Sequence, residues 1–331
     1  MLLNPTLAHR PSTPAPQAPG AAAPRPTHCL QLPDASGGWR YALTYWQGTV
    51  ANLLRSHRLR VGRAQTHYRA PVVVGAVLRQ QWLDLFAVPP GGRAPLLFNQ
   101  SVGTLLYTQV FADLGINFRH LLHLKHEVHH VAGAAACADA TRQLLDCSLA
   151  GVTRLSDNQA VVSLRTEVHD GDSPGTLLAV ITDRFIVRKL PPADLAHLPT
   201  DRTLVRETLQ LRKRRPALSR ASHHTWVESI VLPADLGVRY GRVSGDNNPV
   251  HTRPLLARLF GVKRLFAQGL ALRNAVVARL SALELDLSRL QITFACPAWL
   301  DQTLELRLAD TCFELVGEAG EVVAFGSLDA R

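Results

Sequence analysis

Metal-ligand cysteine spacing, membrane-length apolar runs and nucleic-acid modules are all missing from this chain of 331 residues. Its five cysteines, Cys29, Cys137, Cys147, Cys296 and Cys312, lie far apart with no CxxC pair. That scatter excludes a zinc ribbon and argues against a disulfide framework, so reduced thiols in a cytoplasmic protein are expected. No apolar stretch approaches the roughly 20 residues that a membrane-spanning helix needs. Acidic residues are scarce beside basic ones, 26 against 36, for a net charge of +10. The excess is nearly all arginine, yet zinc-finger spacing, an aromatic RNP-like cluster and a sustained basic helix are lacking. A nucleic-acid partner therefore rests on charge alone and is not expected.

What is present is ordinary globular composition, 47% hydrophobic and 19% charged, enough for a buried core in one large or two average domains. Residues 1–30 are rich in proline and alanine, without the continuous apolar core of a secretory signal, and read as a disordered tail. Order is expected to begin near Gly38. Residues 96–114 read as a mostly buried helix ended by Gly115, followed by strands over His120–Val131, Ala160–Val168 and Leu178–Val187. The turn cluster Asp170-Gly171-Asp172-Ser173-Pro174-Gly175 separates the last two. Residues 191–222 read as a linker with the basic run Arg212-Lys213-Arg214-Arg215. The order then repeats: a helix over Leu270–Leu283, and strands over Leu287–Phe294, Thr303–Leu308, Cys312–Val316 and Val322–Leu328. The predicted divisions are 1–30, 31–190, 191–222 and 223–331, with a helix wrapped by antiparallel strands in each of the two larger ones, an α+β class.

The informative segment is Ser244-Gly245-Asp246-Asn247-Asn248-Pro249-Val250-His251. By composition it is turn chemistry, and a plain loop is the simplest reading. The turn does not explain the ionisable pair, however. Asp246 and His251 flank a sharp bend, where a carboxylate and an imidazole can share one water molecule and move its proton.

With Ala257, Gly261 and then Gln268-Gly269 ahead of a helix, this segment resembles the MaoC-like family of (R)-specific enoyl-thioester hydratases and 3-hydroxyacyl-thioester dehydratases. The resemblance covers roughly residues 230–330 and implies a double hotdog fold whose N-terminal repeat, lacking the segment, is degenerate. It implies that Asp246 and His251 are the catalytic pair, that Ser244, Gly245, Asn248 and Pro249 shape the loop, and that the Gly269 N–H receives the thioester oxygen. A helix N-terminus suits the enolate charge that builds there, and losing one such donor costs about 3–4 kcal/mol. The substrate class implied is an acyl thioester of fatty-acid metabolism carried on coenzyme A or acyl carrier protein, and the arginine-rich surface suits either. No cofactor and no metal are implied, and monomer and homodimer both stay open.

Gln268 departs from the family, where histidine usually precedes this glycine; glutamine cannot titrate but still hydrogen-bonds. If it only shapes the loop, activity survives. This departure keeps open a catalytically weakened acyl-thioester-binding protein, and a hotdog thioesterase is a second alternative. The histidine run at His120, His123, His126, His129 and His130 reads as a polar sheet face, with no HExxH or cysteine to support a metal. Ser244 is read as a hydrogen-bonder because GxSxG is absent. His223 and His224 read as surface residues, and Asp235 has no evident partner.

Overall fold

Two helices too apolar to face water organise the molecule. In the C-terminal half, Gly269–Leu280 buries Leu270, Ala271, Leu272, Val276, Val277, Ala278 and Leu280, residues on every side of the helix. In the N-terminal half, Thr104–Asp113 buries Leu105, Leu106, Tyr107, Val110 and Phe111. A helix without a polar face must be wrapped, and here antiparallel strands do the wrapping. The computed structural model describes residues 30–31, 57–62, 67–88, 104–132, 140–173, 175–211, 216–218, 225–259, 261–283 and 285–328. Of the tail read over 1–30 only Leu30 is described, as a strand residue and not as disordered chain; the rest of the tail, the start of order near Gly38, the basic run 212–215, and His223 and His224 lie outside them. Leu30–Gln31, which pair in parallel with Tyr68 and Arg69, precede the expected start of order.

In chain order the elements are β1 (Leu30–Gln31), β2 (His67–Val73), α1 (Ala76–Leu85), α2 (Thr104–Asp113), β3 (Leu121–His130), β4 (Arg142–Ser156), β5 (Gln159–Asp170) and β6 (Leu177–Arg188). There follow α3 (Pro192–Leu195), α4 (Arg202–Leu211), β7 (Thr225–Leu232), α5 (Leu236–Ser244), α6 (Pro249–Thr252), α7 (Pro254–Leu259), α8 (Gly269–Leu280), β8 (Arg289–Phe294), β9 (Gln302–Ala309), β10 (Cys312–Val316) and β11 (Val322–Leu328). Short 3-10 turns at Phe118–His120 and Ser281–Leu283 end the loop before β3 and the helix α8.

The strands form a single sheet in the order β1-β2-β4-β5-β6-β3-β8-β11-β10-β9-β7. Read outward from the central β3–β8 pair, the two sides match. On each side the seam strand follows the buried helix, a three-strand meander comes next, and then the half's first long strand, which on the N-terminal side is edged by the two-residue β1. The fold is the double hotdog, and the duplication expected from element order is visible in topology. Antiparallel pairing of Lys125 with Thr293 and of His129 with Arg289 stitches the halves together.

Aromatic packing also joins them. Trp82 of α1 is fully buried, its ring 4.7 Å from Phe86 and 6.0 Å from Tyr240 of α5. Trp82→Ala should cost about 3–5 kcal/mol, as large-to-small core replacements do. Urea unfolding of the full chain checks this.

The stretch read as a linker holds two helices. Leu204, Val205 and Leu211 of α4 pack on Leu124, Leu155, Val161 and Ile186, so α4 covers part of the outer face of the N-terminal sheet. Among the described residues no helix is long and apolar enough to cross a membrane. Cys147, Cys296 and Cys312 are free thiols.

Candidate functional site

The segment from Ser244 to His251 is a helix end, a bend and a helix start in succession. Helix α5 stops because Gly245 turns left-handed, at φ 79°, and its N–H bonds the Gly241 carbonyl. Asn248 then caps α6: its side-chain oxygen accepts from the Val250 N–H at 3.3 Å, with Pro249 at the first helical position. The Asn-Pro pair is helix-start chemistry, and it fixes where His251 emerges.

Ser244 is buried, donates to the Tyr240 carbonyl at 2.8 Å and accepts from the Asp246 N–H at 3.1 Å. The Asp246 carboxylate accepts from the Asn248 N–H at 3.3 Å. Ser244 is thus a hydrogen-bonder, and it orients the residue carrying the carboxylate.

His251 Nδ1 lies 2.8 Å from the Phe266 carbonyl. A carbonyl only accepts, so Nδ1 carries the hydrogen and the neutral ring keeps its lone pair on Nε2. The Phe266 ring meets the imidazole edge-on at 4.6 Å. Burial lowers the His251 pKa below its ordinary value, against the opposing pull of the Asp246 charge and the Phe266 carbonyl. The two side chains therefore sense each other electrostatically, and desolvation keeps the imidazole neutral.

Gln268 is buried, and its amide nitrogen donates to the carbonyls of Gly237 and Asp246, each at 3.2 Å. It ties the start of α8 to α5 and to the loop, bringing Asp246, His251, Gln268 and Gly269 together. Gln268→Ala would remove both of these buried hydrogen bonds, at about 1–3 kcal/mol. Gln268→Glu should do worse, since it adds a charge beside two carbonyl oxygens. Denaturation of both variants tests this.

Gly269 opens α8, and its N-cap Gln268 makes no side-chain capping bond. A Cβ here would stand 3.1 Å from His123 Nδ1 and 3.2 Å from the Phe294 ring. Asp235, without an evident partner in the sequence, forms an exposed ion pair at 4.0 Å with Arg239.

The histidine strand requires a correction. His126 and His130 are 0% and 2% exposed, so they belong to the inner face and not to a polar outer one. A register irregularity between His123 and Lys125 turns His123 toward the same side as His126. Both rings meet Asp183 of β6, which sequence reasoning missed, as it missed Tyr107. A signal existed: Asp183 shares alternation with the buried Ile181, Phe185 and Val187, a charge on an apolar face.

Among the described residues His130 has no hydrogen-bond partner at either ring nitrogen. Burial, with Arg273, His126 and His129 nearby, pushes its pKa down to about 3. Unfolded, the ring would take a proton as pH falls through about 6.5, while the folded ring refuses it until about 3. Stability should therefore fall across that window. His130→Leu should shrink the loss between pH 7.5 and pH 5 by about 2 kcal/mol, measured by urea titration at both pH values.

No family model matches the chain. A curated relative, 3-hydroxyacyl-thioester dehydratase X of Mycobacterium tuberculosis, is 40% identical over 80 residues, which is 24% of this chain. The match spans only 28% of that relative's length. Among solved structures, HtdX of Mycobacterium tuberculosis superposes with a TM-score of 0.60 at 17% identity, over 80% of this chain and 100% of that one. A MaoC-like dehydratase from Phytophthora capsici gives 0.57 at 13% identity, over 86% of this chain and 98% of that one.

Proposed function

From a double-hotdog chain similar to the MaoC-like dehydratases, in sequence over one segment and in fold over most of its length, we propose a reversible hydro-lyase. It adds water to trans-2-enoyl thioesters and removes it from (R)-3-hydroxyacyl thioesters. The observation carrying this reading is the His251 ring, held by the Phe266 carbonyl with Nε2 left as acceptor, beside the Asp246 carboxylate.

In hydration a water bound between the Asp246 carboxylate and His251 Nε2 attacks C3 of the enoyl group. Nε2 takes one of its protons, while the carboxylate accepts a hydrogen bond from the other. The electron pair of the double bond moves toward the thioester oxygen, where the Gly269 N–H meets the developing charge. His251 then returns the proton to C2 and the thioester carbonyl re-forms. Atoms balance with one water and no redox step, so the chemistry calls for neither metal nor redox cofactor. The (R) configuration is taken from the family resemblance. The carrier is coenzyme A or acyl carrier protein, both negatively charged and suited to a chain of net charge +10.

The bond pattern of Gln268 favours turnover over mere thioester binding: its amide braces two backbone carbonyls, a task that needs no titrating group. Product analysis is the test. Crotonyl-CoA should give (R)-3-hydroxybutyryl-CoA, and that product should regenerate crotonyl-CoA. Free coenzyme A as the main product would replace this reading with a thioesterase. Because His251 is held neutral, the acid limb of kcat/KM should lie below pH ~6.5, the ordinary imidazole value. A limb well above that pH would contradict a basic role for this ring.

A further inference from the structure

The N-terminal half, although it lacks the Asp-x-Asn-Pro-x-His segment, holds a buried carboxylate with three donors. Asp183 is 1% exposed. Tyr107 of α2 donates to its Oδ2 at 2.6 Å, while His123 Nε2 and His126 Nδ1 of β3 lie 2.7 and 2.8 Å from its Oδ1. Donor atoms of His123, His126 and Asp183 fall within 4.8 Å of one another, close enough to invite comparison with a metal site. Two ring nitrogens on one oxygen at these lengths are hydrogen bonds, however.

A carboxylate only accepts, so both rings carry hydrogen on the nitrogen facing it. Nε2 of His123 is therefore committed to Asp183, and Nδ1 is left for another partner. The ring cannot easily turn: it stacks on Phe185 at 4.5 Å and 16°, with Phe294 at 4.9 Å. In that pose Nδ1 faces Gly269, 3.1 Å from where a Cβ would stand. The His123 side chain is 15% exposed, against 0% for His126 and 1% for Asp183, so it is the member of the cluster that solvent or a ligand can reach.

Resting on the hydro-lyase reading, we propose that His123 touches the acyl thioester from the half without the catalytic loop. With Nε2–H held by Asp183, it donates a second hydrogen bond, from Nδ1, to the thioester oxygen beside the Gly269 N–H. No bond to hydrogen breaks in this role. Both donors keep their protons while charge grows on the oxygen and then recedes. Tyr107 and His126 act through Asp183 as positioning residues, satisfying a carboxylate whose burial would otherwise be costly. The N-terminal hotdog is then part of the active site.

The test uses the full chain with His123→Ala and His123→Gln. It reads hydration of crotonyl-CoA, affinity for the saturated butyryl-CoA, and the ¹⁵N resonances of labelled histidine. Losing one oxyanion donor should lower kcat of His123→Ala about a hundredfold. Affinity for butyryl-CoA should stay within about threefold, and glutamine, which still donates, should recover part of the rate. The His123 resonance, assigned by its loss in His123→Gln, should shift when butyryl-CoA is added to the wild type and to Asp246→Asn alike. A His123→Ala enzyme within about twofold of wild type, or an unmoved resonance at saturating butyryl-CoA, overturns the proposal. A wild type that binds butyryl-CoA but never hydrates crotonyl-CoA defeats the hydro-lyase reading instead, and the resonance alone then decides for or against His123. Should His123→Ala not fold, the rate of the glutamine variant and the resonance decide between the same two outcomes.

Discussion

Asp246→Asn should lower kcat for crotonyl-CoA hydration by about 10²–10⁴, the usual worth of a positioned acid–base group, and His251→Ala should do the same. The asparagine keeps the shape and the acceptor for the Asn248 N–H, so the loop should survive while its charge is lost. His251→Ala removes the ring whose Nε2 takes the proton in the proposed step. The double variant should be little worse than either single one, because groups that act on one water fail as a unit. Binding of butyryl-CoA should change little in all three. Steady-state kinetics together with calorimetric binding separate this outcome from simple unfolding. A loss that appears in KM alone would instead make the pair a binding element.

Gly237→Ala should abolish most activity although Gly237 touches no reacting group. Gly237 lies in the first turn of α5, where a Cβ would stand 2.0 Å from the His251 carbonyl oxygen. That oxygen is backbone and cannot rotate away, so α6 or α5 must shift by more than an ångström. A displacement of that size in a catalytic group costs about a hundredfold in rate. The Gly237 carbonyl is also one of the two braced by Gln268, so the shift would loosen that tie as well. Gly241 is the control on the same helix: a Cβ there would meet the side-chain oxygen of Asn247 at 2.6 Å, with the Asp246 carbonyl at 3.0 Å. Gly241→Ala should therefore disturb the Asp246 side of the loop more than the His251 side. Circular dichroism and kcat on both variants check this. Gly237→Ala with wild-type kcat would contradict the packing.

Where burial and periodicity coincide, the fold is legible in the residues. Helix α8 lacks a polar face, and β10 and β11 are short, largely apolar runs bounded by turn residues, so their predicted bounds match the strands observed. Strand β4 escapes the sequence pattern, because Gly151 and a register irregularity between Leu149 and Gly151 interrupt its alternation. Helix α4 hides inside an apparent linker, since its apolar stripe is narrow and its sequence largely charged and polar. The Asp246 loop announces itself through residue types that each have a local backbone role. The Tyr107–His123–His126–Asp183 cluster does not, because it is assembled from three elements whose adjacency exists only once β3 pairs with β6. Alternation does place His126 and His130 on one face. Which face is a matter of tertiary packing.

The hydro-lyase stands or falls on the conjugated enoyl absorbance of crotonyl-CoA, and of a longer trans-2-enoyl-CoA, after addition of the purified full chain, with Asp246→Asn and His251→Ala in parallel. The absorbance should decay with the wild type and hold steady with both variants, while all three still bind butyryl-CoA. Unchanged absorbance at every chain length, from a folded wild type that binds butyryl-CoA, would contradict the hydro-lyase and leave an acyl-thioester-binding protein.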